Sequence, residues 1–324
     1  MKRATIYSIA EVCGVSASTV SRAFSRPEVV NPEVRELIHA KARELGYRPN
    51  KAARELATGR TGMIGLLVHD VANPFFPPLV RAIQRAADEM EAAVMLVDAD
   101  ESSAREVGLI KQLKGQVDGL VIASPRSSSA LQEAAEGLPA VVVNRRMRGF
   151  PSVVCDNTAA LTEAGRHLED LGHRKVALMC GPSASWAARQ RAATVRAWAQ
   201  GTRVTLVELG SFAATFEGGR EAARALVGSG ATAAFAFDDL MACGVLSGLA
   251  EAGVQVPGGC SVVGCDDVLL ARAVTPQLTT VTAPVDRLGR AAVDALRRCI
   301  AGEQVRDVRM DGSLTLRGST GRPA

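Results

Sequence analysis

From residue 63 onward the sequence alternates between short apolar runs and longer amphipathic stretches. The apolar runs cover residues 63–68, 94–97, 119–123, 140–143, 176–179, 204–209, 233–237 and 261–264. The amphipathic stretches between them cover residues 79–90, 104–113, 161–171, 189–199 and 219–227. This alternation predicts parallel sheets with helices on both faces. Because the units fall into two successive sets, we expect two α/β lobes with a cleft at the carboxyl ends of the strands.

The excess positive charge of the chain lies in its first 60 residues. They hold 11 Lys+Arg and 6 Asp+Glu, a balance of +5, whereas the remaining residues hold 27 and 28, a balance of −1. A compact basic head on a nearly neutral body indicates that the head alone binds a polyanion.

The segment from Ser8 to Phe24 has the pattern of two short helices joined by a tight turn. Gly14 interrupts the first apolar face and can adopt the left-handed conformation that a sharp turn needs. Ser16 is a favourable N-cap for the second helix. Val20 lies one turn before Phe24, so both face inward and leave small polar residues on the other side. The pattern predicts a helix-turn-helix.

A third helix is predicted from Asn31 to Gly46, because Asn31 is a good N-cap and Pro32 suits the first helical position. On the second helix, Arg22 can bridge the O6 and N7 atoms of guanine in the major groove. Serine hydroxyls and an alanine methyl can meet other base edges. The three helices therefore predict a DNA-binding head.

Two stretches of the head, TIYSIAEVCGVSASTVSR at residues 5–22 and ELGYRPN at residues 44–50, resemble the opening of the lac repressor (LacI/GalR-type) family. The resemblance continues over nearly the whole chain. It implies an N-terminal all-α helix-turn-helix head and an α/β two-lobed periplasmic-binding-protein-like core. It also implies a ligand-responsive repressor of a sugar-utilisation operon, released from a palindromic operator by a small sugar or sugar derivative.

The expected domains are a DNA-binding domain at residues 1–48, a hinge helix or linker at 49–60 and an effector-binding core at 61–324. The resemblance implies three chain crossings between the lobes, which we expect near Thr158, Ala283 and Arg306. The lobes would cover residues 61–157 and 284–305 (lobe 1) and residues 158–283 and 306–324 (lobe 2).

The hinge has residues that favour a short helix, but an isolated helix of about eight residues is marginal in water. We expect it to form only when DNA or a partner subunit holds it. The resemblance implies that Leu56 wedges between base pairs in the minor groove; a flexible linker is the alternative. The residues expected to contact DNA are Thr5, Ser16, Ala17, Ser18, Thr19, Ser21, Arg22, Asn31, Tyr47, Asn50, Ala53, Arg54 and Leu56.

Polar and aromatic side chains follow the predicted strands of the core. Planar rings can stack on the C–H face of a sugar, and charged or amide groups can form hydrogen bonds with its hydroxyls. The effector contacts that these residue types and the resemblance imply are Phe75, Phe76, Asn144, Arg145, Arg191, Phe212, Asp238 and Asp266. The nearby Arg145 and Arg148 leave an acidic or phosphorylated sugar possible as effector.

Two of these positions depart from the usual family pattern. Where the family often has Asp after the fourth strand, this chain has Asn144, and where it often has Asn-Asp, this chain has Asp238-Asp239. We hypothesise that amide and carboxylate have exchanged lobes, which preserves the charge of the pocket but reverses its hydrogen-bond polarity. In the doublets 238–239 and 266–267, the second Asp is expected to cap the following helix and the first to face the cleft.

The sequence contains no phosphate loop, dinucleotide fingerprint, nucleophile elbow or zinc-protease motif. Its seven cysteines lack C-x-x-C spacing, which predicts reduced and mostly buried thiols. The four histidines show no metal spacing, and His173 is expected in a surface loop. We therefore expect no catalytic residue, no metal site and no cofactor, and no enzymatic function.

No apolar run approaches the roughly 20 residues that span a membrane, and no apolar segment follows the basic N-terminus. These features predict a cytoplasmic, nucleoid-associated protein without a membrane partner. The expected partners are double-stranded operator DNA, a small-molecule effector and a second copy of the chain, a dimer because no C-terminal leucine heptad is present. The alternatives are a purine- or other small-molecule-responsive regulator of the corepressor type and, more remotely, a solute-binding protein.

Overall fold

The computed structural model describes residues 4–47, 60–127 and 129–324. The chain divides after Gly62 into two compact units. In the first unit the described residues form helices and no strand, and the second unit contains two sheets.

The first unit contains α1 (Ile6–Cys13), α2 (Ala17–Ser25) and α3 (Pro32–Glu44), with one 3₁₀ turn at Pro27–Val29. Thr5, Ser16 and Asn31 cap the three helices, each accepting a hydrogen bond from a backbone N–H of the first turn. These caps satisfy donors that a helix cannot pair internally. α1 ends at Gly14, whose φ of 64° allows the turn into α2.

A small apolar core holds these helices together. Ile9, Val20 and Ile38 come from different helices and are 0% exposed. Each contributes about 1.5–3 kcal/mol by leaving water. Phe24 packs edge-on against His39, with ring centroids 4.7 Å apart, and lies 5.7 Å from Tyr47. The inward placement of Val20 and Phe24 predicted from their spacing is confirmed.

The second unit begins with β1 (Met63–Val68), α4 (Phe76–Asp88), β2 (Ala93–Asp98), α5 (Ser103–Leu113), β3 (Gly119–Ala123), α6 (Ser129–Ala134), β4 (Ala140–Val143) and β5 (Ser152–Asp156). It continues with α7 (Thr158–Asp170), β6 (Lys175–Cys180), α8 (Trp186–Gln200), β7 (Thr205–Ser211), α9 (Phe216–Ser229), β8 (Ala233–Phe235), α10 (Asp239–Glu251), β9 (Ser261–Asp266), α11 (Leu269–Ala273) and β10 (Thr279–Thr282). It ends with α12 (Val285–Ile300), β11 (Val308–Asp311) and β12 (Ser313–Thr315).

Two six-stranded sheets define the two lobes, with strand orders β11-β5-β4-β3-β1-β2 and β12-β10-β9-β8-β6-β7. The paired strands are parallel except β10 and β12, which are antiparallel. Helices cover both faces, so β3 and β4 are apolar and buried along their whole length. This arrangement confirms the fold class that the alternation predicts.

The chain crosses between the lobes three times. The first crossing follows Asp156, because α7 packs against α8 in the second lobe, and the second follows β10, because α12 packs on the first sheet and α4. The third crossing, predicted near Arg306, is at Gly312 instead. Its position is fixed because β11 pairs with β5 of the first sheet and β12 with β10 of the second.

His173 corrects a second expectation. It follows α7 in the chain but is 0% exposed, because the C-terminal residues cover it. Its Nδ1 lies 2.8 Å from the Thr232 hydroxyl oxygen and its Nε2 lies 2.9 Å from the carbonyl oxygen of Gly321. Burial lowers the pKa of His173 below its ordinary value. This histidine therefore anchors the C-terminal segment.

Candidate functional site

The outward face of α2 presents an unpaired cation. Ser18 and Arg22 are exposed, whereas Ala17, Thr19 and Ser21 are partly buried. Among the described residues, Arg22 has neither a salt bridge nor a side-chain hydrogen bond. Its guanidinium is therefore available for a base edge or a phosphate.

Other residues predicted to contact DNA have structural roles in the head. The Ser16 hydroxyl lies 2.8 Å from both the Ser18 and the Thr19 hydroxyls. Thr5 and Asn31 cap α1 and α3. Tyr47 packs against Phe24, and burial raises the pKa of its hydroxyl. The hinge predictions, Asn50, Ala53, Arg54 and Leu56, lie outside the described residues.

A cleft of about 410 Å³ lies between the two lobes of the second unit. Loops after strands of both sheets line it, as expected for parallel α/β sheets. It brings together six of the eight residues predicted from the sequence: Phe75, Phe76, Asn144, Arg191, Asp238 and Asp266. The two phenyl rings pack edge to face with centroids 5.4 Å apart and are largely buried.

Arg191 and Asp266 form a buried ion pair in this cleft, with the Arg191 Nη2 donating to Asp266 Oδ1 at 2.5 Å. Arg191 also donates from Nη1 to the Phe237 carbonyl oxygen at 2.7 Å and stacks over the Phe237 ring. Burial raises the pKa of Asp266 to about 6 despite the guanidinium beside it. The Arg191 Nε is buried without a hydrogen-bond partner among the described residues.

Asp238 is the residue that caps α10, through a 2.8 Å hydrogen bond from the Met241 N–H to its Oδ1. Its other oxygen accepts a 3.1 Å hydrogen bond from Asn73 Nδ2, which joins the two lobes across the cleft. Burial raises the pKa of this carboxyl. Asp238 therefore combines capping with a position in the cleft.

The prediction that the second Asp of each doublet caps a helix is wrong. The backbone at Asp238 is extended, so the helix begins at Asp239, which is buried and accepts from the Thr280 hydroxyl at 2.6 Å and the Val268 N–H at 2.9 Å. Asp267 pairs with Arg317 at 2.5 Å and makes no cap.

Two predicted effector residues lie elsewhere. The Arg145 guanidinium donates to the carbonyl oxygens of Pro125 and Ser127, at 2.7 and 3.0 Å, and so holds the loop after β3. Phe212 packs on the apolar core of the second lobe. Neither lines the cleft.

Sequence reasoning missed a polar cluster on the first-lobe side of the cleft. Glu101 and Arg126 line the cleft and form an ion pair at 3.2 Å. Behind them, the buried His69 lies 2.5 Å from Glu101 and 3.5 Å from Glu106. Burial alone would lower the pKa of His69, but the two carboxylates raise it above its ordinary value. These residues follow β1, β2 and β3, so the strand-end rule could have found them.

Asn144 lines the cleft from the end of β4. It follows β4 with a positive φ of 59°, and its Nδ2 donates to the Ser124 hydroxyl at 3.1 Å. Its amide oxygen makes no hydrogen bond within the described part of the chain, so it is available as an acceptor.

Within the described residues, no cluster of His, Cys, Asp and Glu could hold a metal ion. All seven cysteines are described and none is in a disulfide. None of the described helices is both long and apolar enough to cross a membrane.

Residues 61–316 match the family of periplasmic binding proteins and sugar binding domain of LacI family, and residues 5–50 match the family of bacterial regulatory proteins, lacI family. The chain is 32% identical to the HTH-type transcriptional regulator DegA of Bacillus subtilis (strain 168), over 89% of this chain and 88% of that protein. It is 31% identical to the ribose operon repressor of Escherichia coli (strain K12), over 90% and 92%.

Among solved structures, the lac repressor dimer bound to operator and the anti-inducer ONPF superposes with a TM-score of 0.89. The sequences are 28% identical, and the match covers 99% of this chain and 100% of that one.

Proposed function

Because the chain belongs to the lacI family of bacterial regulatory proteins, we propose that it is a transcriptional repressor that binds operator DNA through its helical head. A small sugar in the cleft releases it. The family relatives described above are transcription regulators by name, which agrees with a binding function and not a catalytic one.

The observation that carries the proposal is the presence in one chain of an exposed recognition-helix cation and a polar interlobe cleft. Arg22 is free to read guanine, and the first 60 residues supply the positive charge that phosphate binding needs. The residues predicted to contact DNA, including Leu56 in the hinge, remain part of this proposal.

The cleft supports a hydroxyl-rich ligand. The two cations that line the cleft, Arg191 and Arg126, are already paired with carboxylates, so neither is left unpaired to bind a phosphate. Asp238 places a carboxylate in the lining of the cleft, Arg191 a guanidinium and Phe75 an aromatic ring. Sugars are recognised by this combination of paired polar groups and planar rings.

Ligand binding would act through the lobes. The Asn73–Asp238 hydrogen bond joins them across the cleft, so a ligand that replaces this bond changes the relative stability of the lobe arrangements. We propose that a homodimer binds a near-palindromic operator in the cytoplasm, since two-fold protein symmetry matches two-fold DNA symmetry. The change of lobe arrangement would then alter operator affinity.

A thermal-shift screen against sugars, sugar phosphates and purines tests this function, followed by gel shifts of DNA from upstream of the gene with each hit. We expect a neutral sugar to raise the melting temperature by several degrees, as ligand at about 100 times Kd adds roughly 2.7 kcal/mol. The same sugar should release the DNA. A purine hit would overturn the sugar part, and a chain that binds no DNA with or without ligand would overturn the repressor.

A further inference from the structure

A second cavity, of about 840 Å³, adjoins the cleft. Asn144, Ala187 and Arg191 line both spaces and form the boundary between them. The cleft lies over the ends of β1, β3 and β4, and the second cavity lies over the ends of β4, β5 and β11. Because these strands are consecutive in the sheet, the two cavities form one continuous groove between the lobes.

Trp186 lines the second cavity and is partly exposed. It has no aromatic partner among the described residues, and its indole N–H makes no hydrogen bond there. The other tryptophan, Trp198, is 6% exposed and packs against Phe235 with ring centroids 5.8 Å apart. A large ring left partly in water inside a cavity is a surface on which a planar or ring-shaped ligand can stack.

Polar groups whose side chains make no hydrogen bond in the described chain surround this ring. Arg146 is exposed and, within the described chain, has no salt bridge or hydrogen bond. Gln190, one turn after Trp186 on α8, is likewise exposed with a free side-chain amide in the described structure. Arg309, by contrast, is paired with Asp156 at 2.6 Å. The second cavity therefore offers an aromatic face, a free amide and a guanidinium that makes no hydrogen bond in the described chain but interacts electrostatically with Asp156.

We propose that the second cavity is a second sugar subsite, so that the effector has at least two sugar units. The first unit occupies the cleft beside Arg191 and Asp238. The second stacks on Trp186 and forms hydrogen bonds with Arg146 and Gln190. This inference rests on the proposed sugar-responsive function. Because Asn144, Ala187 and Arg191 line both cavities, two linked sugar units can lie side by side across this boundary.

Trp186 makes the subsite measurable in the full-length chain. Tryptophan emission and binding are recorded with disaccharides of glucose, galactose, mannose, xylose and galacturonate, each against its parent monosaccharide. The best disaccharide should bind roughly tenfold tighter than its parent, which corresponds to about 1.4 kcal/mol. It should also change the emission of Trp186, while the parent sugar should leave the emission unaltered.

Variants distinguish a loss of sugar stacking on Trp186 from a loss of folding. Trp186→Ala should reduce the affinity for the disaccharide to that of its parent, and Trp186→Phe should restore most of it. Arg146→Gln should reduce the affinity for the disaccharide several-fold. Arg148→Gln should leave that affinity unchanged, because Arg148 lies on the same loop but lines neither cavity. Thermal unfolding of each variant shows that it is folded.

A parent monosaccharide that binds as tightly as every disaccharide, or a Trp186→Ala variant with unchanged affinity, would overturn the subsite and leave a monosaccharide-responsive regulator. Binding of no sugar at all would overturn both the subsite and the sugar effector. Operator binding without ligand, measured in parallel, tests the repressor independently of either result.

Discussion

At the scale of single residues, the core contains buried carboxylates that no cation pairs in the described structure. Asp239 is 0% exposed and receives hydrogen bonds from Thr280 and Val268, but no cation contacts it in the described structure. Burial and the neighbouring Asp266 raise the pKa of Asp239 to about 7. An ionised carboxylate without a counter-ion is costly in a buried site, so Asp239 retains its proton up to that pH.

This raised pKa gives a stability that depends on pH. Between pH 4 and 7 the folded chain holds a proton on Asp239 that the unfolded chain has released. Stability should therefore fall with rising pH, by up to about 1.4 kcal/mol per pH unit for one proton. Urea unfolding at pH 5, 6 and 7.5 should show a shallower fall in Asp239→Asn, with Asp238, Asp266 and His69, whose pKa values are also raised, contributing to what remains. If the unfolding free energies of the wild-type chain and of Asp239→Asn fall equally with pH, the raised pKa of Asp239 would be contradicted.

The exchanged pair Asn144 and Asp238 makes a second prediction at this scale. Asn144 donates to Ser124, and Asp238 accepts from Asn73. The double variant Asn144→Asp with Asp238→Asn keeps the total charge of the pocket but exchanges its amide and its carboxylate. Because hydrogen-bond donors and acceptors then change places, the preferred sugar should change. Binding constants for a panel of epimeric sugars measure this. An unaltered order of preference in a folded double variant would refute the exchange hypothesis.

At the scale of elements, local sequence signals determine the head. Thr5, Ser16 and Asn31 cap its helices, and Gly14 closes α1. Each of these signals is visible in the sequence because capping involves neighbours within three residues. In contrast, the position of β11 depends on pairing with β5, about 150 residues earlier. No local pattern records that pairing, so the sequence places the third crossing near Arg306 and not at Gly312.

The recognition helix gives a prediction at the element scale. Arg22→Gln should weaken operator binding by about 1–3 kcal/mol and relax specificity at one base pair. Arg26→Gln is the matched control, since Arg26 follows α2 and carries the same charge. Fluorescence anisotropy on wild-type and single-base-variant operators measures both. If the two variants lose the same affinity on every sequence, Arg22 makes only a phosphate contact.

Helices α9 and α10 approach each other through glycines. A Cβ at Gly244 would collide with the backbone carbonyl of Phe216, whereas one at Gly228 would meet nothing within 4 Å. Gly244→Ala should therefore cost about 1–3 kcal/mol of unfolding free energy. Gly228→Ala should be neutral or stabilise by about 0.5–1 kcal/mol through helix propensity. Urea unfolding of the pair tests this; a tolerated Gly244→Ala would show that the helices can separate without cost.

At the scale of the molecule, the sequence predicts the two lobes, and six of the eight residues that it predicts for the cleft line it, because parallel strands place their carboxyl ends together. It missed Glu101 and Arg126, which reach the cleft through a buried cluster around His69. It also placed Arg145 in the cleft, although this side chain turns back to hold the loop after β3. Side-chain direction depends on partners distant in sequence, and residue type alone does not reveal them.

We propose that one chain both reads a specific DNA sequence and releases it when a sugar binds. Fluorescence anisotropy tests this proposal directly. The affinity for a labelled fragment from upstream of the gene is compared with that for a scrambled fragment at the same salt concentration. Both are measured with and without the sugar found by thermal shift. We expect the chain to bind the specific fragment at least about 10³-fold more tightly than the scrambled one, as two chains per site, with the preference reduced at least tenfold by the sugar. Equal affinity for both fragments, or a preference that no sugar alters, would contradict the account.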